Sequence, residues 1–184
     1  MTLPNALTLF RIALIPLFWI LEIQTGTGAH WAALFVFILA AVTDFFDGQI
    51  ARKRQLITSF GKIMDPLADK LLVLAAMMLF TRGGDMPFVA LMIIVTRELA
   101  VTSLRVVAMG EGKVLAADWS GKVKTFAQCI YCVIMLLHIE NFAFIPVPAL
   151  IKTILTWIIV AITLYSGIDY FYKNRSMIHL TADK

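Results

Sequence analysis

The sequence predicts an all-α, polytopic membrane protein: six transmembrane helices in a single domain over residues 1–184, with both termini cytoplasmic. Three observations carry that prediction. Apolar residues make up 60% of the chain and charged residues only 15%, too little polar surface for a water-soluble domain of this size. The apolar residues fall in six runs, each long enough to cross about 30 Å of hydrocarbon at about 1.5 Å per helical residue. Lys and Arg gather mainly on one side of these runs, which marks that side as cytoplasmic.

The runs are Ala6–Ile23, Trp31–Ala51, Phe60–Thr81, Pro87–Ala108, Trp119–His138 and Pro146–Tyr172. Turn and breaker residues separate most of them: Gly26-Thr27-Gly28, Gly83-Gly84 with Pro87, Gly110 with Gly112, then Pro146 with Pro148. The first run lacks the basic flank and small-residue cleavage site of a signal peptide and is expected to stay as a helix. The cytoplasmic side carries Arg11, Arg52, Lys53, Arg54, Lys62, Lys113, Lys122, Lys124, Lys173, Arg175 and Lys184, against Arg82 and Lys152 opposite. The net charge of +4 is modest, and no nucleic-acid partner is expected. Cys129 and Cys132 lie in an apolar run with no further Cys in the chain, and read as packing residues. Trp31, Trp119 and Trp157 fit either interface anchors or packing, and His30, His138 and His179 read as interface residues near helix ends. Asp118 reads as a helix N-cap, and Asp169 has no assigned role.

The informative residues are the acids at membrane depth, where charge is costly and usually functional. Asp44 and Asp47 share one helix face, as do Asp65 and Asp69 on the next run. A short basic loop joins the two runs, so they are expected to be antiparallel neighbours. Asp47 lies about 7 Å inside Arg52, and Asp65 about 7 Å inside Phe60. Asp44 and Asp69 lie about 12–14 Å inside the same markers. Two matched levels of carboxylates are thus expected just below the cytoplasmic surface. Four such groups repel one another unless some are protonated or hard cations neutralise them. The all-oxygen donor set favours magnesium, manganese or calcium, and four Asp suit a two-metal site. Pairing with Arg52, Lys62 and Lys70 alone does not explain the matched depths. Gly48, Ala51 and Gly61 would serve tight helix contacts or let a flat group approach the backbone. Beside four carboxylates and Arg52, a nucleotide diphosphate fits this group best.

These residues spell Asp-x2-Asp-Gly-x2-Ala-Arg-x8-Gly-x3-Asp-x3-Asp from Asp44 to Asp69. This resembles the signature of the CDP-alcohol phosphotransferase family at all eight fixed positions, each matched by chance about one time in twenty. Flanking segments are similar to the bacterial branch that uses glycerol 3-phosphate: Pro4-Asn5-Ala6-Leu7-Thr8-Leu9-Phe10-Arg11, Arg97-Glu98 with Arg105, and Gly121-Lys122-Val123-Lys124-Thr125 with Gln128. The resemblance implies two divalent ions, Mg2+ or Mn2+, held by Asp44, Asp47 and Asp65, with Asp69 at the second metal and also the general base. It implies that Gly48, Ala51, Arg52 and Gly61 contact the cytidine diphosphate, with Asn5, Thr8 and Arg11 closing over the nucleotide. It further implies a homodimer in the bacterial cytoplasmic (inner) membrane, its active site facing the cytoplasm.

The implied reaction moves a phosphatidyl group from CDP-diacylglycerol, anchored in the membrane lipid, to glycerol 3-phosphate. An anionic acceptor calls for a second basic cluster near the same face. Arg97 and Arg105, about two turns apart on one helix, with Lys122 and Lys124, are the candidates. Lys122 and Lys124 also fit ordinary positive-inside residues, and Arg97 also fits a buried pair with a carboxylate. Two alternatives stand beside this reading. One is the same chemistry with serine, inositol phosphate or phosphatidylglycerol as acceptor. The other is a divalent-metal or proton-coupled carrier, which the absence of repeats and the clustering at one surface disfavour.

Overall fold

The computed structural model describes residues 3–24, 26–54, 59–110, 115, 118–137 and 148–175. The side chains of 3–8, 27, 44–54 and 59–69 fall outside the described part. All regular structure among the described residues is helical: α1 Leu3–Ile23, α2 Thr27–Arg54, α3 Ser59–Arg82, α4 Phe88–Gly110, α5 Trp119–Leu137 and α6 Ala149–Lys173. These are the six apolar runs, with ends shifted by a few residues. Helices α5 and α6 are long and apolar enough to cross a membrane. Helix α4 interrupts its apolar sequence with Arg97, Glu98 and Arg105. Large apolar side chains face outward along the described helices, among them Phe35, Phe88, Leu99, Phe126, Leu150 and Ile168. Apolar exposure on this scale marks an interaction surface or a lipid-facing one rather than a water-facing one.

The chain forms two compact units, one of Met1–Leu79 with Cys132–Pro146 and the other of Phe80–Tyr131 with Val147–Lys184. In the first, α1 and α2 form a hairpin. Arg11, Leu14 and Phe18 recur at helical spacing and are buried, facing the buried Ala33, Leu34, Phe37 and Ala40. Phe18 and Phe37 meet with ring centroids 5.8 Å apart, and the alanines let the helix backbones come close. At the turn, His30 corrects the reading of an interface residue. It is buried, with Nδ1 2.9 Å from Glu22 Oε1 and Nε2 2.8 Å from the Leu136 carbonyl of α5. His138 and His179 lie outside the described residues. Cys132 is buried and Cys129 partly so, and neither is in a disulfide, consistent with packing.

In the second unit, contacts fix the helix directions. Along α4 and α6 the pairs Asp85–Lys152, Arg97–Ser166 and Arg105–Tyr170 rise together, so these two helices run parallel. Along α5 the pairs Ser120–Asp169, Gln128–Thr163 and Tyr131–Thr156 run oppositely, so α5 is antiparallel to α6. The turn after α3 needs Gly84, whose φ is 80°. Its amide donates to the Thr81 carbonyl and that of Asp85 to the Phe80 carbonyl at 2.9 Å, a Schellman closure of the helix end. Asp85 then meets Lys152 of α6 at 2.5 Å. Lys152, read from the sequence as lying opposite the basic side, is buried and thereby neutralised. Further in, Thr156 Oγ1 donates to the Lys152 carbonyl and so accepts the Tyr131 hydroxyl proton, both at 2.8 Å.

Candidate active site

Helix α2 continues to Arg54 and α3 begins at Ser59. Asp44 and Asp47 therefore stand one turn apart on one helix, and Asp65 and Asp69 one turn apart on the other. Their side chains, like those of Asn5, Thr8, Ala51 and Arg52, and the surroundings of Gly48 and Gly61, lie outside the described residues. Arg11 is described. It sits on the buried stripe of α1 at 2% exposure, where a merely solvated charge would not be found.

The proposed acceptor residues are described fully, and they do not form one group of four. Arg97 projects from α4 with its side chain 9% exposed. Its Nη2 donates to Ser166 Oγ of α6 at 2.8 Å and its Nη1 to Glu98 Oε1 at 3.2 Å. Lys124 of α5, also buried, donates to that same Glu98 oxygen. Two cations thus converge on one buried carboxylate, leaving a net charge of one positive unit on the three side chains. The buried pairing for Arg97 and the convergence with Lys124 are both present. Arg105 stands apart from this triad: its Nε donates to the Tyr170 hydroxyl at 3.0 Å, and its guanidinium lies 5.1 Å from the centre of that ring. Lys122 is exposed, whereas Lys124 is buried. Two residues along a helix is about 200° of rotation, so these lysines face opposite ways.

Helix α6 supplies what the sequence reading missed. Thr156, Thr163, Ser166, Gly167 and Tyr170 are all buried and recur at helical spacing, a polar and small-residue stripe in an otherwise apolar helix. That periodicity was visible in the sequence; its partners were not. A groove of about 850 Å³ runs between α4 and α6, with Arg97 and Gly167 on its wall among Met92, Thr96, Leu164 and Phe171. At the start of α5, Asp118 stands at the N-cap position, but its Oδ1 accepts from the adjacent Trp119 amide at 2.9 Å rather than from an amide two or three residues on. Lys173 donates to Asp118 at 2.7 Å and to Asp169 at 2.8 Å, and Ser120 donates to Asp169 at 2.7 Å. Asp169 therefore ties the end of α6 to the start of α5.

A CDP-alcohol phosphatidyltransferase family model matches residues 1–165. The chain is 43% identical over 184 residues to the CDP-diacylglycerol–glycerol-3-phosphate 3-phosphatidyltransferase of Bacillus subtilis, with 94% of each chain covered. The protein of the same name from Rickettsia bellii is 36% identical over 169 residues, covering 92% of this chain and 93% of that one. The one from Escherichia coli K12 is 41% identical over 132 residues, covering 70% and 72%.

Proposed function

The chain belongs to the CDP-alcohol phosphatidyltransferase family, and from that premise we propose that it transfers the phosphatidyl group of CDP-diacylglycerol to sn-glycerol 3-phosphate. The products are phosphatidylglycerophosphate and CMP, in the synthesis of anionic phospholipids. The observation that carries the reading is the run from Asp44 to Asp69, with eight fixed positions set on two helical segments. The choice of acceptor is supported by the relatives' names and by the paired cations of Arg97 and Lys124.

Four carboxylates, all oxygen donors and paired by helical spacing on α2 and α3, fit two hard divalent cations. Asp44, Asp47, Asp65 and Asp69 would hold them. When bound, Mg2+ or Mn2+ supplies Lewis-acid stabilisation of the diphosphate and of the departing CMP. The chain's own groups do the rest. Gly48, Ala51 and Gly61 leave room for the cytidine end, Arg52 adds positive charge, and Asn5, Thr8 and Arg11 close over the nucleotide. Arg97 and Lys124 grip the acceptor phosphate, with Arg105 completing the positive field on α4. Lys122, on the opposite face of α5, contributes charge to the cytoplasmic surface rather than to this grip. Asp69 takes the proton from the attacking hydroxyl. That oxygen bonds to the phosphatidyl phosphorus as the phosphoanhydride bond breaks, and the bonding pair leaves with CMP. A carboxylate of ordinary pKa is a weak base for an alcohol, so transfer of the proton is concerted with attack.

The enzyme is placed in the bacterial cytoplasmic membrane as six spans, with both termini and the carboxylates on the cytoplasmic side. Support comes from the one-sided Lys and Arg distribution and from helix direction alternating along α4, α5 and α6. It is read as a homodimer, as the resemblance implies. The test is CMP release by the purified protein with CDP-diacylglycerol, Mg2+ and one acceptor at a time. Turnover is expected with glycerol 3-phosphate. Turnover with serine, inositol phosphate or phosphatidylglycerol instead would overturn the acceptor, and metal flux into liposomes without CMP release would overturn the enzyme.

A further inference from the structure

Gly167 lies in the interior of α6, and its φ is not in the left-handed region. Nothing in its backbone calls for glycine, which weakens a helix interior relative to alanine. What it provides is room. A Cβ built at Gly167 would lie 2.9 Å from Arg97 Cγ and 3.4 Å from Arg97 Nε. Real Cβ atoms essentially never reach the first distance. The atom met is near the root of the arginine, so the clash cannot be relieved by swinging the tip of the side chain. The other glycines whose surroundings are described (Gly26, Gly28, Gly84, Gly110 and Gly121) have open space where a Cβ would go.

We propose that Gly167 is a positioning residue for acceptor binding: it is the notch across which Arg97 passes to bring its guanidinium to the phosphate. Three restraints then fix the guanidinium. The stem lies against Gly167, Nη2 is held by Ser166 at 2.8 Å, and Nη1 is held by Glu98 at 3.2 Å. Because Lys124 meets the same Glu98 oxygen, a displaced Arg97 also changes the spacing of the two cations. A methyl group at position 167 moves the stem and tilts the whole fork, and charge-assisted hydrogen bonds weaken steeply with such misalignment. The inference rests on the reading of Arg97 as an acceptor ligand.

The test is a double-mutant cycle on steady-state kinetics in detergent, with radiolabelled glycerol 3-phosphate varied from well below to above its KM so that large losses stay measurable. Gly167→Ala is expected to raise KM for glycerol 3-phosphate about tenfold, with KM for CDP-diacylglycerol within about twofold of the parent. In an Arg97→Gln background the same substitution is expected to have no further effect on kcat/KM for the acceptor, because the group it acts through is gone. Ser166→Ala removes a restraint without adding volume, so it serves even if Gly167→Ala folds poorly, and it should show the same non-additivity. An equal loss in both backgrounds, or a parallel rise in KM for CDP-diacylglycerol, overturns the proposal in favour of plain helix packing. An Arg97→Gln enzyme with unchanged acceptor KM instead overturns the acceptor reading itself.

Discussion

Replacing Glu98 by glutamine should be among the most destabilising single substitutions in the second unit. Glu98 is 3% exposed and Lys124 4% exposed, and Arg97 and Lys124 both donate to Glu98 Oε1. The amide keeps the shape and removes the charge. Two buried cations then face each other across a neutral group, and breaking a buried ion pair in this way costs about 3–5 kcal/mol. That is at least a hundredfold, roughly, in the folding equilibrium. Lys124→Met alone leaves Glu98 its bond from Arg97 and should cost less. The double variant leaves a single cation already bonded to Ser166 and should recover about 1–3 kcal/mol of the Glu98→Gln loss. The assay is unfolding in mixed micelles of increasing SDS fraction, followed by tryptophan fluorescence. Asp169→Asn serves as the contrast, since its partner Lys173 has a side chain 52% exposed, and it should leave the unfolding transition close to that of the parent. If Glu98→Gln unfolds within about 0.5 kcal/mol of the parent, the triad does not hold the three helices together and the argument from buried charge fails.

Other outcomes follow from the same contacts. Asp69→Asn should lower kcat by at least about a hundredfold while leaving the protein folded, measured as CMP release alongside a thermal melt. Chelation of divalent ions by EDTA should abolish turnover, and Mg2+ or Mn2+ should restore it while Ca2+, with its looser coordination, restores less. Phe37→Ala should cost about 3–5 kcal/mol, because Phe37 is fully buried against Phe18; the same SDS titration measures it. Lys124→Met should raise acceptor KM at least about tenfold, whereas Lys122→Ala, on the exposed face of α5, should change it less than about twofold.

Element existence was legible in the sequence because an apolar run of some twenty residues bounded by turn residues satisfies its backbone internally as a helix. The run read as Pro87–Ala108 is the helix Phe88–Gly110, and Trp119–His138 is Trp119–Leu137. The acidic signature was legible for a different reason, since fixed spacing on a helix is already geometry. Choice of partner was harder to read. Glu98 was seen beside Arg97, yet its bond to Lys124 joins residues 26 apart in sequence. Asp169 had no role until Ser120 and Lys173 met it. His30 sits near a helix end but bonds a carbonyl 106 residues away. Such pairings depend on which helices are neighbours, and apolar periodicity does not encode that in chains whose outer surface is as apolar as the core. The opposite facing of Lys122 and Lys124, one exposed and one buried, was legible, because two-residue spacing on a helix places side chains nearly back to back.

The most direct measurement is transfer of label from water-soluble glycerol 3-phosphate into organic-extractable lipid by the purified protein, given CDP-diacylglycerol and Mg2+. Label should appear in phosphatidylglycerophosphate in a one-to-one ratio with CMP, and Asp65→Asn should stop both. Undiminished transfer by Asp65→Asn, or CMP release with no label entering lipid, would contradict the account.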